Sequence, residues 1–130
     1  MYPEPLRERL VNVALEWQEL YGVAPSITAA ISELDAAHLI GMPADDYSEY
    51  MKYRTAVSRG ADFVWRDIRY QVKANRPSGK PGSPVTLVPK AGNYEWDELI
   101  WILCDTRYRV IEAWIWEREA YRLAFHELTM

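Results

Sequence analysis

At 130 residues, with 49% hydrophobic and 26% charged content, the chain has the size and balance of one globular domain spanning 1–130. It contains no apolar run of about 18 residues, so no membrane span is expected, and its start, Met1-Tyr2-Pro3-Glu4-Pro5, lacks the basic-then-apolar pattern of an export signal. The net charge of -4 argues against a generally basic, nucleic-acid-coating protein, and the single Cys104 excludes an internal disulfide and suits a reducing, cytoplasmic setting.

Apolar residues from about Glu4 to Tyr21 recur at helical spacing: Leu6, Leu10, Val13, Ala14, Trp17, Leu20 and Tyr21. Pro5 fits the first turn of this helix and Gly22 its stop. Ser26 is a candidate N-cap for a second helix running to about Ile40 and closed by Gly41. The polar, mixed segment from Pro43 to Tyr53 suits a short helical turn. Ala61 to Trp65 and Ile68 to Asn75 are rich in β-branched and aromatic residues and predict an antiparallel hairpin turning at Arg66-Asp67. Pro and Gly punctuate Arg76 to Pro84, which reads as a loop, and Val85 to Val88 is a candidate third strand. After a turn at Asn93 to Glu98, Leu99 to Cys104 and Tyr108 to Trp116 predict two more strands joined by Asp105-Thr106-Arg107. Glu117 to Leu128 closes the chain as an amphipathic helix with Ala120, Tyr121, Leu123, Ala124 and Leu128 on one side. Helices, then strands, then a helix imply an α/β (α+β) fold: a central mixed sheet flanked by helices. Six Trp and nine Tyr imply that large rings build much of its core.

Charge is unevenly spread. Residues 52–90 carry nine bases and two acids, Asp62 and Asp67, a local balance of +7 inside an acidic chain. Such a segment suits a polyanion approaching a bound cation, although a solvated basic loop gives the same count.

Strand alternation puts Gln71 and Lys73 on one face of their strand, opposite Tyr70 and Val72. A hairpin turning at Arg66-Asp67 sets Asp62 beside Gln71 to Lys73. The Asp62 carboxylate, the Gln71 amide oxygen and the Val72 carbonyl are oxygen donors suited to Mg²⁺ or Mn²⁺. Lys73 is suited to orient an attacking water and to stabilise phosphate charge. Glu33 shares a helix face with Ala29, Ala30, Ala37 and Ile40, small and apolar neighbours that permit close approach to a sheet, whereas Asp35 shares a more polar face with Ser32 and His38. The same polar alternation also marks the solvent side of any half-exposed strand.

Gly60-Ala61-Asp62 followed by Gln71-Val72-Lys73, with Glu33 on a preceding helix, resembles the PD-(D/E)xK nuclease superfamily, the restriction-endonuclease-like fold. The resemblance covers roughly Ser26 to Trp116. It implies a metal-dependent nuclease in which Asp62 and the residue at 71 hold the metal, Glu33 contributes to it, and Lys73 serves the water. Ala61 stands where the motif has proline, and Gln71 where it has an acid; some branches are similar in using Gln-x-Lys. Catalytic candidates are therefore Glu33, Asp62, Gln71 and Lys73, and metal candidates Glu33, Asp62, Gln71 and Val72.

Arg59, Arg69, Arg76 and Lys80 are candidate contacts to a nucleic-acid backbone, expected to be DNA. Asp97 and Glu112 are reserve metal ligands. His38 and His126 lack partners at useful spacing, and Cys104 lies in an apolar run. The chain is small enough to act as a homodimer or beside a partner protein supplying specificity. The alternative reading is a catalytically inactive nucleic-acid-binding or protein-interaction module on the same fold.

Overall fold

A computed structural model describes residues 4–54, 61–77 and 93–126. Helices α1 (Glu4–Tyr21), α2 (Thr28–Leu39) and α3 (Ala44–Tyr53) come first. Strands β1 (Phe63–Trp65), β2 (Ile68–Asn75), β3 (Glu98–Cys104) and β4 (Val110–Glu117) follow, and α4 (Arg118–Tyr121) runs into a π-helical turn over Arg122–His126. The described strands form one sheet in the order β1-β2-β3-β4. β1 and β2 are antiparallel, β2 and β3 parallel, and β3 and β4 antiparallel. This is the expected α+β arrangement, a mixed sheet with flanking helices.

Local chemistry explains most boundaries. α1 stops where Gly22 takes a φ of 81°, with its N–H donating to the Gln18 carbonyl at 2.8 Å. α2 ends in a Schellman motif: the N–H of Met42 donates to the Ala37 carbonyl and that of Gly41 to the His38 carbonyl, both at 3.0 Å. Gly41 sits at a φ of 86°, which a side chain would disfavour. Ser26 does not cap this helix. α2 begins at Thr28 with Ile27 in the cap position and no side-chain cap. Pro43 to Tyr53 forms a full helix rather than a turn, because Ala44, Tyr47 and Tyr50 lie one turn apart and pack on the central core. The hairpin turns at Arg66 and Asp67, whose φ values of 52° and 66° are those of a two-residue I′ turn made without glycine.

Small residues set the main helix–sheet contact. Ala36 and Ala37 of α2 are wholly buried against Met42, Phe63, Tyr70, Val72, Ile100 and Ile102. The opposite face of the sheet is closed by Trp96, Leu99 and Tyr121. The expected closing helix is α over Arg118–Tyr121 and π over Arg122–His126; Tyr121 packs inward while Leu123 is 80% exposed, and Leu128 lies outside the described residues. α1 lies outside this core, where Val11 and Ala14 touch Ile31 and Tyr108. The Arg7 guanidinium fastens it, donating to both Asp35 oxygens at 2.8 Å and to the Tyr108 carbonyl at 2.7 Å. The candidate strand at Val85 to Val88 lies outside the described residues. No described helix is long and apolar enough to cross a membrane.

Candidate functional site

The hairpin is unequal, and this makes the site. β1 pairs with β2 only from Ile68 to Tyr70, so from Gln71 onward β2 has no described β1 partner on that edge. Asp62, in a bend just before β1, takes the place of the absent strand. Its main-chain N–H donates to the Tyr70 carbonyl at 2.8 Å. Its carboxylate Oδ2 accepts the Val72 N–H at 2.7 Å and the Gln71 side-chain Nε2–H at 3.1 Å. A carboxylate thereby satisfies a backbone donor that a longer β1 would have bonded.

Glu33 enters from α2. It lines one concavity of about 350 Å³ together with Asp62, Gln71, Val72 and Lys73. These side chains do not share one sheet face. Gln71 and Lys73 lie opposite Leu99 and Trp101 in the β2–β3 register, while Val72 lies under α2 with Ile100 and Ile102. They meet because the open edge of β2 can be approached from both faces. Ser32, beside Glu33, is buried and satisfied by donating to the Ala29 carbonyl at 3.1 Å.

The electrostatics are those of two acids held near each other. Burial, and then the charge of Asp62, push the Glu33 carboxyl up from an ordinary 4.5 to about 7, against the opposing charge of Arg54. Burial also raises Asp62, opposed by the Val72 N–H and by the charges of Lys73 and Arg54. Arg54 is a residue that sequence reasoning missed. Its Nη1 donates to the Asp62 carbonyl at 3.4 Å. It stands just past α3 and reaches the site only because α3 packs beside β1. Its one trace in the sequence is its place in the basic segment. Arg54 also lines a second groove of about 570 Å³ between α3 and the hairpin, with Tyr50, Tyr53, Trp65 and Arg66. There the Arg66 guanidinium lies 4.2 Å over the Trp65 ring.

Oxygen donors dominate the first concavity, as a hard divalent cation prefers. The Gln71 amide gives its N–H to Asp62, leaving its oxygen without a donor among the described residues. Among those residues no group of three or more His, Cys, Asp or Glu side chains gathers, so a cation here would rest on two carboxylates, an amide, the backbone and water. Two acids this close in a half-buried pocket fit such an ion, since a positive charge would relieve both.

The other candidates have other surroundings. The Arg69 guanidinium donates to Asp97 at 3.1 and 3.2 Å, and the Arg69 main-chain N–H to the same carboxylate at 2.9 Å. Arg76 donates to the Thr106 carbonyl, to Gln18 Oε1 at 2.9 Å, and lies 4.1 Å over the Tyr108 ring. Arg69 and Arg76 thus tie chain segments together. Arg59 and Lys80 lie outside the described residues, as does Gly60. Of the reserve ligands, Asp97 is paired with Arg69, and Glu112 accepts the Trp114 indole N–H at 3.1 Å. Cys104 is buried, as its apolar run suggests. A comparison of the chain with protein-family models returns no match, and neither does one with curated proteins.

Proposed function

We propose that the protein is a divalent-metal-dependent nuclease of PD-(D/E)xK type that hydrolyses phosphodiester bonds, with DNA as substrate and the cytoplasm as its setting. The observation that carries this reading is the gathering of Glu33, Asp62, Gln71 and Lys73 around one concavity at an open strand edge. Asp62, Glu33, the Gln71 amide oxygen and the Val72 carbonyl would hold Mg²⁺ or Mn²⁺. The bound ion supplies Lewis-acid neutralisation of the phosphate. Lys73 presents a cation to the same phosphate and orients the attacking water. Asp62 and Gln71 hold each other in position by their hydrogen bond, and Arg54 sets a positive charge beside Asp62.

The test is cleavage of plasmid and branched DNA with Mg²⁺ or Mn²⁺ by the wild type, Asp62→Ala and Lys73→Ala. Cutting by the wild type alone supports the reading. Equal cutting by all three, or none by any at high protein and metal, defeats it.

One observation favours a second reading, a nucleic-acid-binding module that does not cut. Asp62 already accepts two N–H donors within the protein, so the site closes upon itself without a cation. That module would retain DNA affinity in Asp62→Ala and lose it steeply with salt.

A further inference from the structure

Among the described residues α1 buries only one of its two apolar stripes. Val11 and Ala14 are buried, flanked along the helix by Arg7 and Gln18, which bond to Asp35 and Arg76. The adjacent stripe faces solvent: Leu6 is 58% exposed, Leu10 40%, Val13 59%, Trp17 52% and Leu20 73%. Its residues recur at intervals of four, three, four and three, the spacing of a coiled-coil seam. Scattered apolar residues on a surface need no explanation, but a continuous row of large ones along 18 residues of helix does.

We infer that this stripe pairs, antiparallel, with the same stripe of a second copy of the chain. The flanking charges select that occupant. Arg9 and Glu16 lie on the same side of the seam, seven residues apart, and both are exposed. Neither forms an ion pair within its own chain among the described residues. Two antiparallel copies of α1 can be aligned so that Leu10 meets the partner's Val13 and Leu6 meets the partner's Trp17. In that register each Arg9 faces the partner's Glu16, once on either side of the two-fold axis. A parallel pair sets Arg9 near the partner's Ala14 and leaves both charges unmatched. The antiparallel pair also opposes the two helix dipoles. A seam of about four layers is short, so the expected dissociation constant is micromolar.

The experiment is sedimentation of the full chain over a wide concentration range, independent of any nuclease activity. The wild type passes from monomer to dimer. Arg9→Glu and Glu16→Arg each weaken the dimer by at least about tenfold. The double variant R9E/E16R returns to within a few fold of the wild type, because the swapped charges still face each other. L10E/V13E stays monomeric at every concentration and melts close to the wild type at dilutions where the wild type is itself monomeric, since both side chains are exposed in the single chain. A wild type that stays monomeric throughout, as it would if another segment of its own chain covered the stripe, overturns the inference. So does a double variant no tighter than the single ones, which would place a different pairing or a different partner on this face.

Discussion

Asp35 and Glu33 stand two residues apart on α2 and live in opposite electrostatic worlds. Asp35 is gripped by both arms of the Arg7 guanidinium at 2.8 Å, with the side chains only 11% and 15% exposed. Glu33 instead faces a second acid, Asp62, and the cation influencing it is Arg54, itself bonded to the Asp62 carbonyl. One helix therefore carries a satisfied carboxylate that fastens α1 and an unsatisfied one that crowds another acid. The first is an element of stability. The second lowers stability unless a proton or a cation joins it, a condition often found at functional sites.

The largest effect should come from the unsatisfied side. On the proposed nuclease reading, Asp62→Ala should lower cleavage by at least about a thousandfold, read as single-turnover rate, and should keep the fold with a modestly lower melt, since the Val72 N–H loses its acceptor. Asp35→Ala should do the reverse. It strands a half-buried Arg7 and should cost about 2–3 kcal/mol by denaturant unfolding, with cleavage per folded molecule unchanged. An active-site loss in Asp35→Ala comparable to that of Asp62→Ala would erase the contrast between the two acids.

Gln71→Glu is the next lever. It adds a third carboxylate to the pocket, and should tighten Mn²⁺ binding by about tenfold or more in calorimetry while lowering the melting temperature of the metal-free protein. A melting temperature that rises without metal would show that the pocket is not short of positive charge.

The smallest effect is in the pH dependence. Between about 4.5 and about 7 the folded chain keeps a proton on Glu33 that the unfolded chain has released. Stability should therefore fall as pH rises through that window, by on the order of 1 kcal/mol once solvent screening is allowed for. Glu33→Gln should flatten this part of the profile, and saturating Mg²⁺ should reduce it in the wild type. An unchanged slope in Glu33→Gln would mean that Glu33 is charged throughout.

Much of the fold was legible because its signals are local. Gly22 and Gly41 mark helix ends through the left-handed backbone that other residues avoid, and both helices stop there. The alternation from Ile68 to Asn75 separates buried Tyr70 and Val72 from half-exposed Gln71 and Lys73, as burial along β2 shows. α3 exceeds the short turn that its mixed sequence suggests because Tyr47 and Tyr50 gain from a core that the segment itself does not reveal. Ser26 looked like a cap by type, yet a cap also needs position, and α2 starts after Ile27.

The site divides in the same way. The approach of Asp62 to Gln71 follows from a two-residue turn, so counting along the hairpin suffices to foresee it. The fate of the basic segment does not follow from counting. Arg69 and Arg76 are bound to Asp97 and to Thr106 and Gln18, partners 28 to 58 residues away in the chain, whereas Arg54, unremarkable in the sequence, reaches the Asp62 carbonyl. By itself the sequence determined the order of the elements, the hairpin register and which strand positions could hold polar groups, because periodicity and turn geometry act over a few residues. The tertiary structure alone decided that β1 would be too short to cover β2 and that Glu33 would reach the exposed edge from the opposite face. It also decided that Asp35 would be neutralised while Glu33 was not. Those outcomes depend on which distant groups packing brings within a few ångströms, and at that range a carboxylate is either paired or strained.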